Sequence, residues 1–218
     1  MQTYAEKGLI EAIALELKKK PGSRILNIGS SGSIVIETEL EQAGADFIVD
    51  HLDIDPREAT FSKLDKTFTE SAEDMKSVPS EHYDISFSNF VWEHIPDVNR
   101  ALKEANRITK NGGEFIFSVP NPLAPEFLLV RIIPLWMRGK FKKYEVWPTY
   151  YNYKTITSLK QRCLEAGFSD VTVSMYPAVY TYTYRYPILS LLGKAYDTLL
   201  DMMGLNSMMG HAVLVCKK

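Results

Sequence analysis

Apolar and polar positions along this chain switch between a helical period and a strand period. Leu9, Ile10, Ile13, Ala14 and Leu17 recur at three- and four-residue spacing and predict a packing helix. Lys18 to Lys20 suit the negative end of its dipole, and Pro21 and Gly22 stop it. The run RILNI predicts a buried strand that breaks into ILNIGSSGS, and SIVIETELEQAG predicts a helix closed by Gly44. DFIVDHLDID predicts a second strand stopped by Pro56, KTFTES a short third and YDISFSNF a fourth. Asp97 is placed to cap a helix with Val98, Ala101, Leu102, Ala105 and Ile108 as its inward stripe, and Asn111, Gly112 and Gly113 end it. GEFIFSVP predicts the fifth strand, TITSLKQRCLEAGF a helix with Gly167 near its last turn, and DVTVSMY and HAVLVCK the last two strands.

Strands alternating with helices imply an α/β fold: a doubly wound, mostly parallel sheet with helices on both faces, because each parallel link needs a crossover. Such a sheet takes its ligand beyond the carboxyl ends of the strands, where the strand order reverses. Candidate functional residues therefore sit just after each strand.

At 218 residues, residues 1–218 form one expected domain, and a formal net charge of -2 without a long basic block gives no footprint for nucleic acid. Cys163 and Cys216 lack metal-ligand spacing, so no metal site is expected and both are read as reduced core thiols of a cytoplasmic protein. Glu6, Glu11 and Glu16 interrupt the first helix, which excludes it as the apolar core of a signal peptide.

In ILNIGSSGS, Gly29 admits close backbone approach and Gly32 admits a left-handed backbone. A GxGxxG fingerprint needs glycine where Ser31 and Ile34 stand, which argues against an NAD-dependent oxidoreductase. Asp53, ending the second strand, is positioned to accept from both hydroxyls of a ribose, while Asp55 is read as capping a helix after Pro56. Glu73 and Asp74 lie at the mouth of the third strand, and Ser88, Asn89 and Phe90 close the fourth.

These motifs, in order from about Arg24 to Pro122, resemble the class I S-adenosylmethionine-dependent methyltransferases. The resemblance implies a Rossmann-like sheet of about seven strands with an antiparallel last strand, and S-adenosyl-L-methionine as cofactor. It implies that Asn27, Gly29, Ser30, Ser31 and Gly32 surround the methionine part, with Ser31 and Ser33 where the family has glycines. Asp53, with Ile54 beside it, matches the ribose-binding acid, and Ala72 and Glu73 the adenine segment; Asn89 and Phe90 belong to the fourth-strand motif. A sulfonium methyl is already activated, so positioning for in-line displacement carries much of the catalysis. His94 is the nearest titratable candidate for a general base, packing or capping being the alternative. Phe90 and Trp92 offer a cation-π wall or core packing, and Glu93 a charge at a helix start.

Two segments exceed ordinary connections. Residues 123–153 read as a lid over the acceptor, where Tyr150, Tyr151 and Tyr153, with Asn121 just before the segment, offer polar groups, and where apolar residues mix with Arg131, Arg138, Lys140, Lys142 and Lys143 around Pro134. Residues 177–210 form a second insertion rich in Leu, Met and Tyr, read as packing on the first, as a homodimer contact or as an apolar tail pocket. The expected acceptor is a small molecule, sugar-linked or lipid-like, and a peripheral membrane contact stays open. The alternative function is a catalytically silent regulatory protein that binds S-adenosylmethionine or S-adenosylhomocysteine.

Overall fold

A computed structural model describes the backbone of residues 2–132 and 148–218, with the side chains of residues 2–128 and 148–218. Helix α1 (Tyr4–Lys19) starts where Thr3 Oγ1 accepts from the Glu6 N–H at 2.9 Å, and it buries Leu9, Ile13 and Leu17. Strand β1 (Ser23–Ile28), helix α2 (Val35–Gln42), β2 (Phe47–Asp53), β3 (Leu64–Thr69) and β4 (Tyr83–Asn89) follow. A 3-10 turn at Trp92–His94 leads to α3 (Val98–Ile108), β5 (Thr109–Pro120) and α4 (Pro125–Ile132). Then come α5 (Ile156–Glu165), β6 (Asp170–Tyr176), α6 (Val179–Thr183), α7 (Pro187–Met202) and β7 (His211–Lys217).

The strands form a 7-stranded sheet in the order β3-β2-β1-β4-β5-β7-β6, parallel except that β7 runs antiparallel to both β5 and β6. That is the expected Rossmann-like architecture. Side chains alternate across it as a strand period of two requires. Ile25 and Ile116 enter the core under α1 and α2, while Leu26, Ile28, Phe115 and Phe117 enter the core under α3 and α5. The order reverses between β1 and β4, so the crevice lies at the ends of β1, β2 and β4.

Several local expectations are met residue for residue. Asp97 Oδ1 accepts from the Asn99 and Arg100 N–H groups, both at 3.1 Å, and caps α3. Cys163 and Cys216 are free and buried. Two expectations are corrected. Asn111, Gly112 and Gly113 do not end α3, because the helix stops at Ile108 and those residues already belong to β5. No helix follows Pro56, so Asp55 caps none; residues 56–60 run irregularly across the glycine loop instead.

The two insertions meet where Phe127 packs edge-on against Tyr182, ring centroids 6.0 Å apart. Pro134, Arg138, Lys140, Lys142 and Lys143 lie outside the described residues, as does the side chain of Arg131. Helix α7 turns Asp197 inward, where its carboxylate accepts from the N–H groups of Val179 and Tyr180 and holds the start of α6. Its outer side carries Ile188, Leu191, Leu192 and Met202 in solvent. Among the described residues no helix is long and apolar enough to cross a membrane.

Candidate active site

A cavity of about 500 Å³ opens at the reversal point, between the ends of β1, β2 and β4 and the turn at Trp92–His94. Gly29 begins its floor with φ +78°, and a Cβ there would sit 2.5 Å from Val91 Cγ2. Glycine is thus required by the chain's own packing, whatever the cavity holds. Ser31 follows in the left-handed region at φ +46°, and its N–H donates to Asp53 Oδ2 at 2.7 Å. The other oxygen, Oδ1, accepts from the Asp55 N–H at 2.9 Å. A carboxylate has about four acceptor positions, so a largely buried Asp53 keeps two of them for a ligand.

Ile54, Ala72, Glu73, Asn89 and Phe90 line the same cavity. The Asp97 N–H donates to Glu73 Oε1 at 2.5 Å, which ties the segment after β3 to the start of α3. Phe90 is held at φ +55° by N–H donation to the hydroxyl and carbonyl oxygens of Ser118, and its ring lies edge-on to His211 at 4.7 Å. His211 is buried, which pushes its imidazole down to about 4 and leaves it neutral, with Nε2 2.8 Å from the Tyr182 hydroxyl.

His94 also faces the cavity, with Tyr150 and Pro148 beside it. Its Nδ1 lies 2.8 Å from the Pro148 carbonyl oxygen. A carbonyl only accepts, so the neutral ring carries its proton on Nδ1 and presents the Nε2 lone pair. Glu93 does not line the cavity. Burial pushes its carboxyl up to about 7, Oε1 stands 3.9 Å from His94 Nε2, and Oε2 has no partner.

A second, smaller cavity of about 70 Å³ shares Gly29 and Asn89 with the first and is lined further by Asn27, Ser30, Glu6 and Glu37. Glu37 is a residue the sequence reading missed. It is fully buried, and its Oε1 accepts from Asn27 Nδ2 at 2.7 Å and lies 2.9 Å from His51 Nε2. Glu6 contributes from α1, where burial raises its carboxyl above the ordinary range and Asn89 Nδ2 donates to it at 3.3 Å.

Other candidates stand elsewhere. Gly32 lines neither cavity; its φ of +74° and the Arg57 Cβ 2.8 Å from where its own Cβ would be explain the glycine. Trp92 is core, not a cavity wall: it packs on Phe115 and Phe117 and donates Nε1–H to Ser88 Oγ at 2.6 Å. Asn121 spends its amide inside the fold, donating to the Ser207 and Met209 carbonyls and accepting from the Leu123 N–H. Tyr153 is buried and donates to the Pro120 carbonyl, and Tyr151 packs edge-on against it rather than lining the cavity. Among the described residues no cluster of His, Cys, Asp and Glu is arranged to hold a metal.

A family model described as a methyltransferase domain matches residues 1–173. The chain is 35% identical over 104 residues to the ubiquinone/menaquinone biosynthesis C-methyltransferase UbiE of Rickettsia massiliae, a match covering 48% of this chain and 38% of that protein. The likeness thus spans well under half of the curated relative. The fold matches an S-adenosylmethionine-dependent methyltransferase from Mesorhizobium loti with a TM-score of 0.62 at 17% identity, covering 98% of each chain. It also matches the Haemonchus contortus phosphoethanolamine N-methyltransferase 2, solved with phosphomonomethylethanolamine and S-adenosylhomocysteine, with a TM-score of 0.58 at 13% identity over 95% of this chain and 52% of that one.

Proposed function

The chain belongs to the methyltransferase-domain family of class I S-adenosylmethionine-dependent enzymes, and from that premise we propose that it methylates a small-molecule acceptor with a lipid-like, apolar body. The observation that carries the reading is Asp53: a largely buried carboxylate at the strand-order reversal that anchors the glycine loop, lines a 500 Å³ cavity and has acceptor capacity beyond its two hydrogen bonds. Cavities of roughly 300–1,000 Å³ hold small ligands and cofactors.

When bound, S-adenosylmethionine supplies a methyl group activated by its sulfonium. The chain's own residues then bind and orient the reactants. Asp53 accepts from ribose hydroxyls, and Ala72 and Glu73 border the nucleobase side. Phe90, Val91 and Ile95 give the cavity an apolar wall, with Ile54 at its exposed rim. His94 Nε2 is the lone pair available to take a proton from an acceptor, with the Pro148 carbonyl fixing the ring.

Two observations support an apolar acceptor over a sugar-linked one. Phe90, His211 and Tyr182 make a continuous aromatic ladder from the cavity wall to the insertion bearing the exposed apolar side of α7. The Rickettsia relative is named as a C-methyltransferase of ubiquinone/menaquinone biosynthesis.

Calorimetric titration with S-adenosylmethionine and S-adenosylhomocysteine tests the cofactor: saturable binding of both is expected, and no binding of either ends the proposal. Mass spectrometry of ligands that co-purify with the chain tests the acceptor class, with an apolar molecule expected and a nucleotide sugar contrary to it.

A further inference from the structure

Helix α7 turns its apolar side outward. Its buried residues are Gly193, Asp197 and Leu200, whereas Ile188, Leu191, Leu192, Leu199 and Met202 are 52–81% exposed. Close contacts fix that orientation. A Cβ on Gly193 would lie 2.4 Å from Thr183 Oγ1, and the Asp197 carboxylate accepts from the Val179 and Tyr180 N–H groups, so α6 is held against the small and polar side of α7. At about 3.6 residues per turn the exposed apolar positions fill an arc of about 100° from Leu191 to Leu192, and Leu189 and Met203 widen it to about 160°. No charged residue falls within the arc; Lys194, Thr198 and Asp201 stand beyond its edge. An apolar surface this continuous marks an interaction site.

The width and the border of the arc indicate what covers it. A helix of a second copy covers a seam of about two positions in seven, which would leave Leu189 and Met203 in water. A bilayer takes the full width, as for an amphipathic helix lying at the headgroup boundary. Just ahead of α7, Tyr182, Tyr184 and Tyr186 are exposed, and an apolar ring with a polar tip suits that boundary. Of the three exposed charges in residues 177–210, Arg185, Lys194 and Asp201, two are cations, and Arg185 lies over the Tyr184 ring at 5.5 Å from its centroid. Cations at the rim favour anionic headgroups. With 16 residues, α7 is too short to cross a bilayer and lies along it instead.

We propose that α7 is an interfacial helix that seats the protein on a phospholipid bilayer carrying anionic lipid, its apolar arc among the acyl chains and Arg185 and Lys194 among the headgroups. The surface stands on the geometry of α7 and does not depend on the methyltransferase reading. It adds to that reading a source for an apolar acceptor, because the contacts of His211 with Tyr182 and Phe90 link this insertion to the cavity wall.

Flotation of the full chain with vesicles of phosphatidylcholine, with and without phosphatidylglycerol, tests the proposal. Binding to the anionic vesicles is expected, with weaker binding to phosphatidylcholine alone. Ile188→Asn combined with Leu192→Asn, both at exposed positions, should lower partitioning about tenfold or more and leave the melting temperature and the affinity for S-adenosylhomocysteine unchanged. Arg185→Gln combined with Lys194→Gln should lower binding to the anionic vesicles about fivefold or more and leave binding to phosphatidylcholine unchanged. No flotation of the unmodified protein, or equal flotation of either variant, overturns the proposal. A dimer in sedimentation that fails to float and that the Ile188/Leu192 variant dissolves assigns the arc to a second copy and overturns it as well. S-adenosylhomocysteine binding, measured on the same preparations, keeps the two readings apart: its absence ends the methyltransferase reading and leaves the vesicle result standing.

Discussion

The Ser31 N–H donates to Asp53 Oδ2 at 2.7 Å, so the loop after β1 and the end of β2 are joined by the same carboxylate that faces the cavity. Asp53 is at once a hinge pin and a ligand acceptor. Asp53→Ala is therefore expected to weaken S-adenosylhomocysteine by about ten- to a hundredfold, the range for losing hydrogen bonds to a charged group, and also to lower the melting temperature. Titration calorimetry and thermal unfolding check the two effects; unchanged affinity in the folded variant removes Asp53 from the ribose site.

Ser31 stands where the resemblance places a glycine, and it pays for that with φ +46°. A non-glycine residue in the left-handed region costs on the order of 1–2 kcal/mol, partly offset by the greater unfolded-state freedom of glycine. Ser31→Gly should stabilise the protein by about 1 kcal/mol, read from urea unfolding midpoints, with the Asp53 contact intact. Ser31→Val, β-branched at the same φ, should destabilise it.

Much of this fold is local and therefore legible in one sequence. Asp97 reads as a helix cap because an aspartate precedes an inward stripe, and the stripe itself is the α3 core face. The bounds of β6 and β7 coincide with DVTVSMY and HAVLVCK because Ser169 and Pro177 bracket the first and Gly210 precedes the second. Asp53 is readable because a strand end is a local feature. Glu37 is not: among ETELEQ it looks like one charge of a solvated helix face, and its partners Asn27 and His51 come from two different strands. For Trp92, where the sequence left a cavity wall and core packing both open, and for Asn121, the sequence could not give the direction of the side chain. Each sits at the right place in the chain, but its direction is set by tertiary partners, Phe115 and Phe117 for one and the Ser207–Met209 backbone for the other.

His94 Nε2 is free to accept because Nδ1 is occupied by the Pro148 carbonyl. If it takes the acceptor's proton, His94→Ala lowers turnover by about a hundredfold or more and leaves S-adenosylhomocysteine affinity within a factor of two to three, roughly a surface-level change. His94→Gln keeps a polar side chain but cannot serve as the base, so it should be equally slow. Steady-state rates with the co-purifying acceptor across pH check this; full turnover in either variant assigns His94 to packing.

Glu93 gives the protein a pH dependence that can be isolated. It is buried, with its Oε1 3.9 Å from His94 Nε2, and burial raises its carboxyl from an ordinary value of 4.5 to about 7. The folded state thus holds a proton that the unfolded state has released. Its contribution to stability is fully present below pH 4.5 and is lost as pH rises through about 7, amounting to about 3 kcal/mol at the conversion of 1.36 kcal/mol per pKa unit. His211 works in the other direction: burial lowers it to about 4, so stability falls as pH drops below 6.5. The raw pH profile mixes the two, whereas the difference between the protein and Glu93→Gln cancels His211. Urea unfolding at pH 5 and pH 8 should show Glu93→Gln gaining stability relative to the unmodified protein by about 2.5 kcal/mol between the two conditions, the rest of the effect lying below pH 5. A difference that does not change with pH means that Glu93 stays ionised in the fold, with water or an unseen donor at Oε2.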